Sequence, residues 1–174
     1  LNARPSAFYT PEMADLIELG SFDDLSALAE ADWIIEAIIE EESTKRELLA
    51  RLEAKVGERA VVSSNTSGLS IAQLIEGRKT DFSRRFLGVH FFNPPRQMRL
   101  VEVIPTLNTD SAVVKQVAGF LQDVLGKGVV VARDTPNFIA NRLGIFAIQS
   151  MLHMMERERL SVPLVDALSG PLMG

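Results

Sequence analysis

The feature that most constrains the fold is a near-continuous apolar run from Trp33 to Ile39, in which Glu36 is the only ionisable residue. A strand with one face in water alternates between apolar and polar residues, whereas a strand buried on both faces can be apolar throughout. The run therefore predicts a strand of a parallel sheet that is covered on both of its faces.

Similar runs recur along the chain, and amphipathic segments separate them. Further strands are predicted at 60–64, 86–92, 100–104 and 129–131, and helices at 25–30, 43–56, 71–75 and 111–125. Residues 1–14 are predicted to form a loop or a frayed helix, and 15–22 a short strand. Because strands that alternate with helices form βαβ units, we expect an α/β fold with a doubly wound, mostly parallel sheet.

The pattern changes after Asp134, where the sequence predicts one long helix over 137–159. This helix carries apolar residues on more than one side, and such a helix needs a partner beyond its own domain. We therefore divide the chain into a first domain, 1–133, and the start of a helical second domain, 134–174.

Charge and composition exclude several classes of protein. The net charge of −5 and the isoelectric point of about 5.1 argue against non-specific binding of nucleic acid. There is no cysteine, so no disulfide or thiolate site is expected, and this fits a cytoplasmic location. No apolar stretch is long enough to predict a membrane span, and no signal-peptide pattern is present. Because the chain lacks an initiator methionine and a clear first element, we expect a fragment of a longer protein.

Two neighbouring predicted strands each carry one ionisable residue among hydrophobic residues. His90 lies just before the strand stop Asn93-Pro94-Pro95, and Glu102 lies inside 100–104. A carboxylate in an apolar strand is costly unless it has a partner, and a histidine held by a glutamate is a general base of fixed tautomer. The spacing leaves two interpretations open: this pair, or a partly exposed histidine and an edge-strand glutamate that faces water.

Other polar residues follow the predicted strands at the point where each strand ends. They are Glu40, the turn from Asn65 to Ser67, and the segment from His90 to Asn93. Ligands of open parallel sheets bind beyond the carboxyl ends of the strands. We therefore expect binding or catalytic residues among these positions.

Five segments occur in a recognisable order: ADWIIEAIIEEESTK (31–45), SSNTSGLSI (63–71), HFFNPP (90–95), LVEVI (100–104) and DTPNFIANR (134–142). Together they resemble the L-3-hydroxyacyl-CoA dehydrogenase family. The similarity runs from about residue 22 to the end, and it is closest to bacterial chains that fuse this dehydrogenase to an enoyl-CoA hydratase-like domain. The family's fold is a Rossmann domain followed by an all-helical domain, in agreement with the pattern above.

The resemblance implies a set of catalytic residues. His90 resembles the base that removes the proton of the 3-hydroxyl group, and Glu102 resembles its orienting partner. Ser67 resembles a residue that contacts the nicotinamide side and the substrate oxygen, with a turn-capping serine as the alternative. Asn141 resembles a catalytic-site asparagine of the second domain, and asparagine inside a long helix is otherwise unfavourable.

The resemblance also implies NAD as the cofactor, and it assigns no metal. Glu40 and Lys45 match positions near the nicotinamide ribose, with a solvated helix start as the alternative. Asn93 matches a cofactor-contacting asparagine, with a pre-proline turn residue as the alternative. Ser67 belongs to this cofactor-binding set as well.

One part of the family pattern is absent from these 174 residues. The family opens with a strand, a G-x-G-x-x-G turn and a helix that hold the pyrophosphate on backbone N–H groups. The segment Gly126-Lys127-Gly128 lacks a third glycine and leads into a predicted strand. We therefore expect the first βαβ unit to be missing, and the fragment to bind NAD weakly and to be inactive.

As function, the resemblance implies NAD-dependent oxidation of an L-3-hydroxyacyl-CoA to a 3-ketoacyl-CoA in fatty-acid β-oxidation. The partner would be an acyl-CoA substrate, and a homodimer through the helical domain is expected. Two alternatives stay open: a non-catalytic NAD-binding or structural protein on the same scaffold, and another hydroxy-acid dehydrogenase.

Overall fold

The computed structural model of the chain describes residues 8–170, and a single five-stranded sheet organises this part of the chain. The strands are β1 (Trp33–Glu36), β2 (Val61–Ser64), β3 (Phe86–Phe91), β4 (Leu100–Pro105) and β5 (Gly128–Val131). They lie side by side in the order of the sequence. The prediction of a loop or frayed helix for 1–14 falls partly outside the described residues.

The sheet is mostly parallel, with one antiparallel neighbour pair. β1, β2 and β3 run parallel to one another, β4 runs antiparallel to β3, and β5 runs parallel to β4. The connection from β3 to β4 spans only residues 92–99, and a parallel crossover needs a dozen or more residues. The short connection therefore accounts for the change of direction, and the predicted α/β class with a Rossmann-like, mostly parallel sheet is confirmed.

Helices follow most of the strands. They are α1 (Glu42–Glu53), α2 (Ile71–Leu74), α3 (Thr80–Ser83), α4 (Ser111–Gly119), α5 (Ala140–Glu158) and α6 (Val162–Ser169). A π-helical turn, Phe120–Val124, continues α4, and 3₁₀ turns occupy Pro11–Leu16 and Ser26–Glu30. In the described residues, no helix is both long enough and apolar enough to cross a membrane.

Apolar side chains cover both faces of the sheet. Adjacent residues of β3 belong to different clusters: Phe86 packs with the side chains of α1 and α2, whereas Leu87 packs with those of α4. This alternation follows from the pleat of a strand, which points successive side chains to opposite faces. At Gly88, an added Cβ would lie only 2.7 Å from Cδ1 of Ile71, so the glycine allows α2 to approach the sheet closely.

Two strand predictions differ from the structure. The predicted strand at 15–22 is wrong, because Pro11–Leu16 forms a 3₁₀ turn and the apolar side chains of Leu16 and Ile17 are exposed. The predicted strand that begins at Trp33 ends at Glu36 rather than at Ile39. The N–H group of Ile38 donates to the carboxylate of Glu36 at 2.7 Å, so it is not available for the sheet.

The long helix predicted over 137–159 begins three residues later, at Ala140. Asn137 and Phe138 have φ angles of 61° and 48°, and residues in this left-handed region cannot continue a right-handed helix. Asn137 therefore lies in a turn before the helix. The sequence patterns did not predict α3 and α6.

The chain divides into two compact units between Phe138 and Ile139. The first unit contains the sheet with α1 to α4, and the second contains α5 and α6. None of the described residues of the second unit is buried. The predicted division into domains 1–133 and 134–174 stays a prediction.

Candidate active site

His90 and Glu102 form a buried pair across the antiparallel strands β3 and β4. The two residues stand directly opposite each other, and such partners carry their side chains on the same face of the sheet. Nδ1 of His90 lies 2.9 Å from Oε2 of Glu102, and the two side chains are only 6% and 1% exposed. The predicted contact is present, and this burial excludes the alternative of two residues that face water.

The pairing decides which ring nitrogen of His90 can act as a base. A carboxylate accepts hydrogen bonds, so Nδ1 carries the proton that it donates to Glu102, and the lone pair lies on Nε2. Two aromatic rings flank the imidazole: the ring centroid of Phe92 lies 4.4 Å from it, and that of Phe138 lies 5.8 Å from it. The carboxylate and the two rings together restrict the orientation of the imidazole.

The turn after β2 brings a second group of polar residues to the same edge of the sheet. Asn65 holds the ends of three strands together, because its N–H donates to the carbonyl of Glu36 at 2.8 Å and its Oδ1 accepts from the N–H of Phe91 at 2.9 Å. The chain then exposes Ser67, whose N–H donates to Oε1 of Glu40 at 2.8 Å. The sequence placed Ser67 and Glu40 at this edge, and the hydrogen bond joins them.

Glu40 is a partly exposed carboxylate at the edge of the sheet. It accepts from the N–H of Ser67 and from the hydroxyl group of Thr66, and Nζ of Lys45 lies 3.3 Å from its Oε2. Desolvation raises the pKa of Glu40, but the hydrogen bonds from Thr66 and Ser67 and the charge of Lys45 outweigh it, so the pKa is lowered. Glu40 is therefore ionised at neutral pH.

Lys45 is buried, although the sequence left a solvated helix start open for it. Its Nζ lies 2.7 Å from Oε1 of Glu36 and 3.2 Å from the carbonyl oxygen of Ile38, in addition to the contact with Glu40. The carboxylate of Glu36, also buried, accepts a further hydrogen bond from Ser64. A lysine that is 1% exposed and surrounded by these three acceptors is part of the interior beneath Glu40.

Two predicted site residues remain, Asn93 and Asn141. Asn93 is exposed in the turn after β3, before a cis peptide bond to Pro94. Asn141 lies in the first turn of α5, in the second compact unit. The roles of both residues stay predictions.

The sequence analysis assigned no site role to three residues near the His90–Glu102 pair and the turn that carries Ser67. Phe92 and Phe138 flank His90, and the carboxylate of Asp134 binds the start of α2. Asp134 lies more than sixty positions from its partners in the chain, so no local pattern indicates the contact. The one available signal was its position at the start of the recognised segment 134–142.

A mostly parallel sheet of this kind, with polar residues beyond the carboxyl ends of its strands, is typical of the class of dinucleotide-binding domains. The model for "3-hydroxyacyl-CoA dehydrogenase, NAD binding domain" matches residues 3–135. The chain belongs to this family, as its motifs indicated.

Two curated relatives cover the whole chain. A probable 3-hydroxyacyl-CoA dehydrogenase of Deinococcus radiodurans is 49% identical over 175 aligned positions, and one of Bacillus subtilis is 42% identical. The chain spans 51% of the first relative's length and 22% of the second's.

Two solved structures share the fold. FadB2 of Mycobacterium tuberculosis has 36% identity and a TM-score of 0.78, over 87% of this chain and 53% of that one. The 3-hydroxybutyryl-CoA dehydrogenase of Escherichia coli has 35% identity and a TM-score of 0.75, over 84% of this chain and 30% of that one.

NAD is the cofactor that the family assignment indicates, and the residues at the sheet edge fit one end of it. An ionised carboxylate with 45% of its side chain exposed, that of Glu40, suits the hydroxyl groups of a ribose. The hydroxyl of Ser67 follows β2 at the same edge. The Gly-rich turn that binds a pyrophosphate is not among these 174 residues. Glu40 and Ser67 therefore fit the nicotinamide end of NAD rather than its pyrophosphate.

Proposed function

We propose that the protein oxidises an L-3-hydroxyacyl-CoA to the 3-ketoacyl-CoA with NAD, as a step of fatty-acid β-oxidation. The observation that carries this proposal is the buried pair of His90 and Glu102, whose atoms Nδ1 and Oε2 are 2.9 Å apart at the carboxyl edge of β3. The family assignment of residues 3–135 supports the substrate class.

His90 acts as the general base. Its Nε2 takes the proton of the 3-hydroxyl group while the hydrogen on C3 leaves with its electron pair, so that a C=O bond replaces the C–H and O–H bonds. NAD, when bound, supplies the acceptor for that hydride. The imidazole becomes positively charged in this step, and the carboxylate of Glu102 stabilises the charge through the proton on Nδ1.

The other predicted residues bind and orient. Ser67 contacts the nicotinamide side and the substrate oxygen, and Glu40 binds the nicotinamide ribose with Lys45 beneath it. Asn93 contacts the cofactor, and Asn141 is a further catalytic residue. A serine and an asparagine suit these tasks because they hydrogen-bond both hydroxyl and carbonyl groups, and a carboxylate accepts from the hydroxyl groups of a ribose.

The enzyme is proposed to be a cytoplasmic homodimer that associates through its helical part. The supporting observation is the row of large apolar side chains that α5 and α6 expose, among them Leu143, Phe146, Leu152 and Leu164. Exposed apolar faces of this kind are typical of interfaces. Light scattering by the protein expressed from its complete reading frame should give twice the monomer mass, and a monomer would contradict the proposal.

Substrate selectivity tests the reaction itself. In the protein expressed from its complete reading frame, NAD reduction should proceed with L-3-hydroxybutyryl-CoA. It should be slower by at least about 10²-fold with the D-enantiomer, because the base and the hydride acceptor must lie on fixed sides of C3. Free 3-hydroxybutyrate is the matched probe for the CoA moiety. Equal rates with both enantiomers, or a better rate without CoA, would contradict the proposal.

A further inference from the structure

The segment 134–138, which we name the strap, connects β5 to the second unit. Both of its ends contact residues of the candidate site. At its start, the carboxylate of Asp134 accepts three hydrogen bonds from the beginning of α2. The donors are the hydroxyl of Ser70 at 3.0 Å, the N–H of Ile71 at 2.9 Å and the N–H of Ala72 at 2.8 Å. Hydrogen bonds to an ionised acceptor are the stronger kind, and these also satisfy N–H groups that a first helical turn leaves unpaired.

At its other end, the strap contacts His90 and the turn that carries Ser67. The ring of Phe138 is buried in the core and stands 5.8 Å from the imidazole of His90. The amide oxygen of Asn137 lies so close to Gly68 that an added Cβ there would be 2.8 Å from it. The strap therefore follows the turn along its length.

The turn itself, residues 65–70, is held by a carboxylate at each end. Glu40 binds Thr66 and Ser67 at its beginning, and Asp134 binds Ser70 and the first residues of α2 at its end. Oδ1 and Oδ2 of Asp134 both accept hydrogen bonds from this part of the chain. Any effect of Asp134 on the chemistry is therefore expected to pass through the turn.

We propose that Asp134 is a positioning residue of the active site: it fixes the turn 65–70, and with it Ser67, from the strap. This inference rests on the function proposed above, because it gives Ser67 its task. Mispositioning of a group that orients the substrate lowers the rate steeply, and a displacement of about 1 Å can cost about 10²-fold. Asp134 thus affects turnover without touching the reacting atoms.

The test compares Asp134→Asn with Asp110→Asn in the protein expressed from its complete reading frame. Asp110 is a matched control, because its carboxylate accepts from the N–H of Ala112 at 2.9 Å and caps α4. It lies at the opposite end of β3 from His90, since its N–H donates to the carbonyl of Arg84. Asparagine caps helices about as well as aspartate, so Asp110→Asn should keep its melting temperature. Asp134→Asn replaces one of two accepting oxygens by an NH₂ donor, so its melting temperature should fall.

Only Asp134→Asn should lower kcat, by at least about tenfold, whereas Asp110→Asn should stay within about twofold of the wild type. Amide hydrogen exchange supplies a readout that does not depend on activity. The exchange rates of residues 65–74 should rise in Asp134→Asn and should stay unchanged in Asp110→Asn. A kcat of Asp134→Asn within about twofold of the control, or unchanged exchange in 65–74, would overturn the proposal.

A second variant covers the case in which Asp134→Asn does not fold. Ser70→Ala removes one of the three donors to Asp134, and it should give a smaller fall in kcat with the same direction of change in exchange. Unchanged kcat and exchange in this variant would overturn the proposal. A wild-type protein without dehydrogenase activity would overturn the proposed function and this inference together, whereas an active wild type with normal variants would overturn the inference alone.

Discussion

At the scale of single residues, burial gives His90 its chemical character. An imidazole that is 6% exposed, beside a carboxylate that is 1% exposed, is surrounded by little water that could accept or donate protons. Its charge after proton uptake is stabilised by Glu102 rather than by solvent, and charge-assisted hydrogen bonds are roughly twice as strong as neutral ones. The pair is therefore suited to proton transfer with a bound alcohol.

The first prediction concerns this residue. His90→Gln should lower kcat by at least about 10²-fold, because glutamine has no basic nitrogen to take the hydroxyl proton. The measurement is the reduction of acetoacetyl-CoA by NADH, together with a titration of NAD, whose affinity should change little.

The chain provides a matched control, because it has only two histidines. His153 lies on α5 and is exposed, so His153→Gln should leave turnover unchanged. Near wild-type turnover of His90→Gln would remove His90 from the role of base.

At the scale of elements, a buried ion pair between Glu36 and Lys45 joins the end of β1 to the first turn of α1. Glu36 and Glu40 flank Lys45, whose Nζ lies 2.7 Å from one carboxylate and 3.3 Å from the other. Desolvation makes such a group costly to assemble, and breaking it costs more than replacing the whole pair. The group holds Glu40 where it can bind both Ser67 and Thr66.

The second prediction tests this buried charge. Lys45→Met should lower the free energy of unfolding by about 3–5 kcal/mol, because it leaves the buried carboxylate of Glu36 without its cation. Urea denaturation measures the loss. The double variant Glu36→Gln with Lys45→Met should recover part of the stability, since no buried charge is then unpaired. If the two single losses were additive in the double variant, the pair would not be coupled.

The third prediction concerns pH. The pKa of Glu40 is lowered in the fold from its ordinary value of 4.5, so its ionised form stabilises the protein above that pH. This contribution is lost as pH falls through the lowered pKa. The melting temperature of the wild type should therefore fall more on acidification from neutral pH to about pH 3 than that of Glu40→Gln.

The control for the pH experiment is Glu47→Gln, which changes an exposed glutamate of α1. Its melting temperature should follow the wild-type curve. Parallel curves for Glu40→Gln and the wild type would show that Glu40 contributes nothing to the acid sensitivity of the fold.

The elements also show what the sequence can and cannot predict. The pairing of His90 with Glu102 was one of two interpretations that the spacing left open, since a carboxylate in an apolar strand requires a partner, and the family resemblance favoured it. The start of α5 was not predictable, because the left-handed angles of Asn137 and Phe138 depend on the turn that they occupy. The role of Asp134 was not predictable either, because its hydrogen-bond partners are far from it in the sequence and a carboxylate before Thr-Pro has no local signature.

At the scale of the whole molecule, the edge formed by β1, β2 and β3 carries Glu40, Ser67 and His90. In the proposed function these residues serve the nicotinamide end of the cofactor and the reacting carbon. The glycine-rich turn that binds a pyrophosphate is not among residues 1–174. The proposed function therefore assigns cofactor affinity and chemistry to different parts of the family's pattern.

The fourth prediction follows from this separation. Residues 1–174, expressed alone, should bind NAD with a Kd above the micromolar range. Each missing charge-assisted contact to the pyrophosphate is worth roughly 1.5–3 kcal/mol. Calorimetric titration measures the affinity, with the protein expressed from its complete reading frame as the comparison. Micromolar binding by residues 1–174 would show that the glycine-rich turn is dispensable.

The antiparallel pairing of β3 with β4 has a consequence for how the protein can change in evolution. His90 and Glu102 meet because the register of the two antiparallel strands places them opposite each other. Substitutions at exposed positions of the connection between them, such as Gln97 and Met98, leave that register unchanged. One residue inserted between Leu100 and Glu102 would turn the carboxylate to the other face of the sheet. The histidine–glutamate pair thus tolerates substitutions at these exposed loop positions, but not a one-residue shift within the strand.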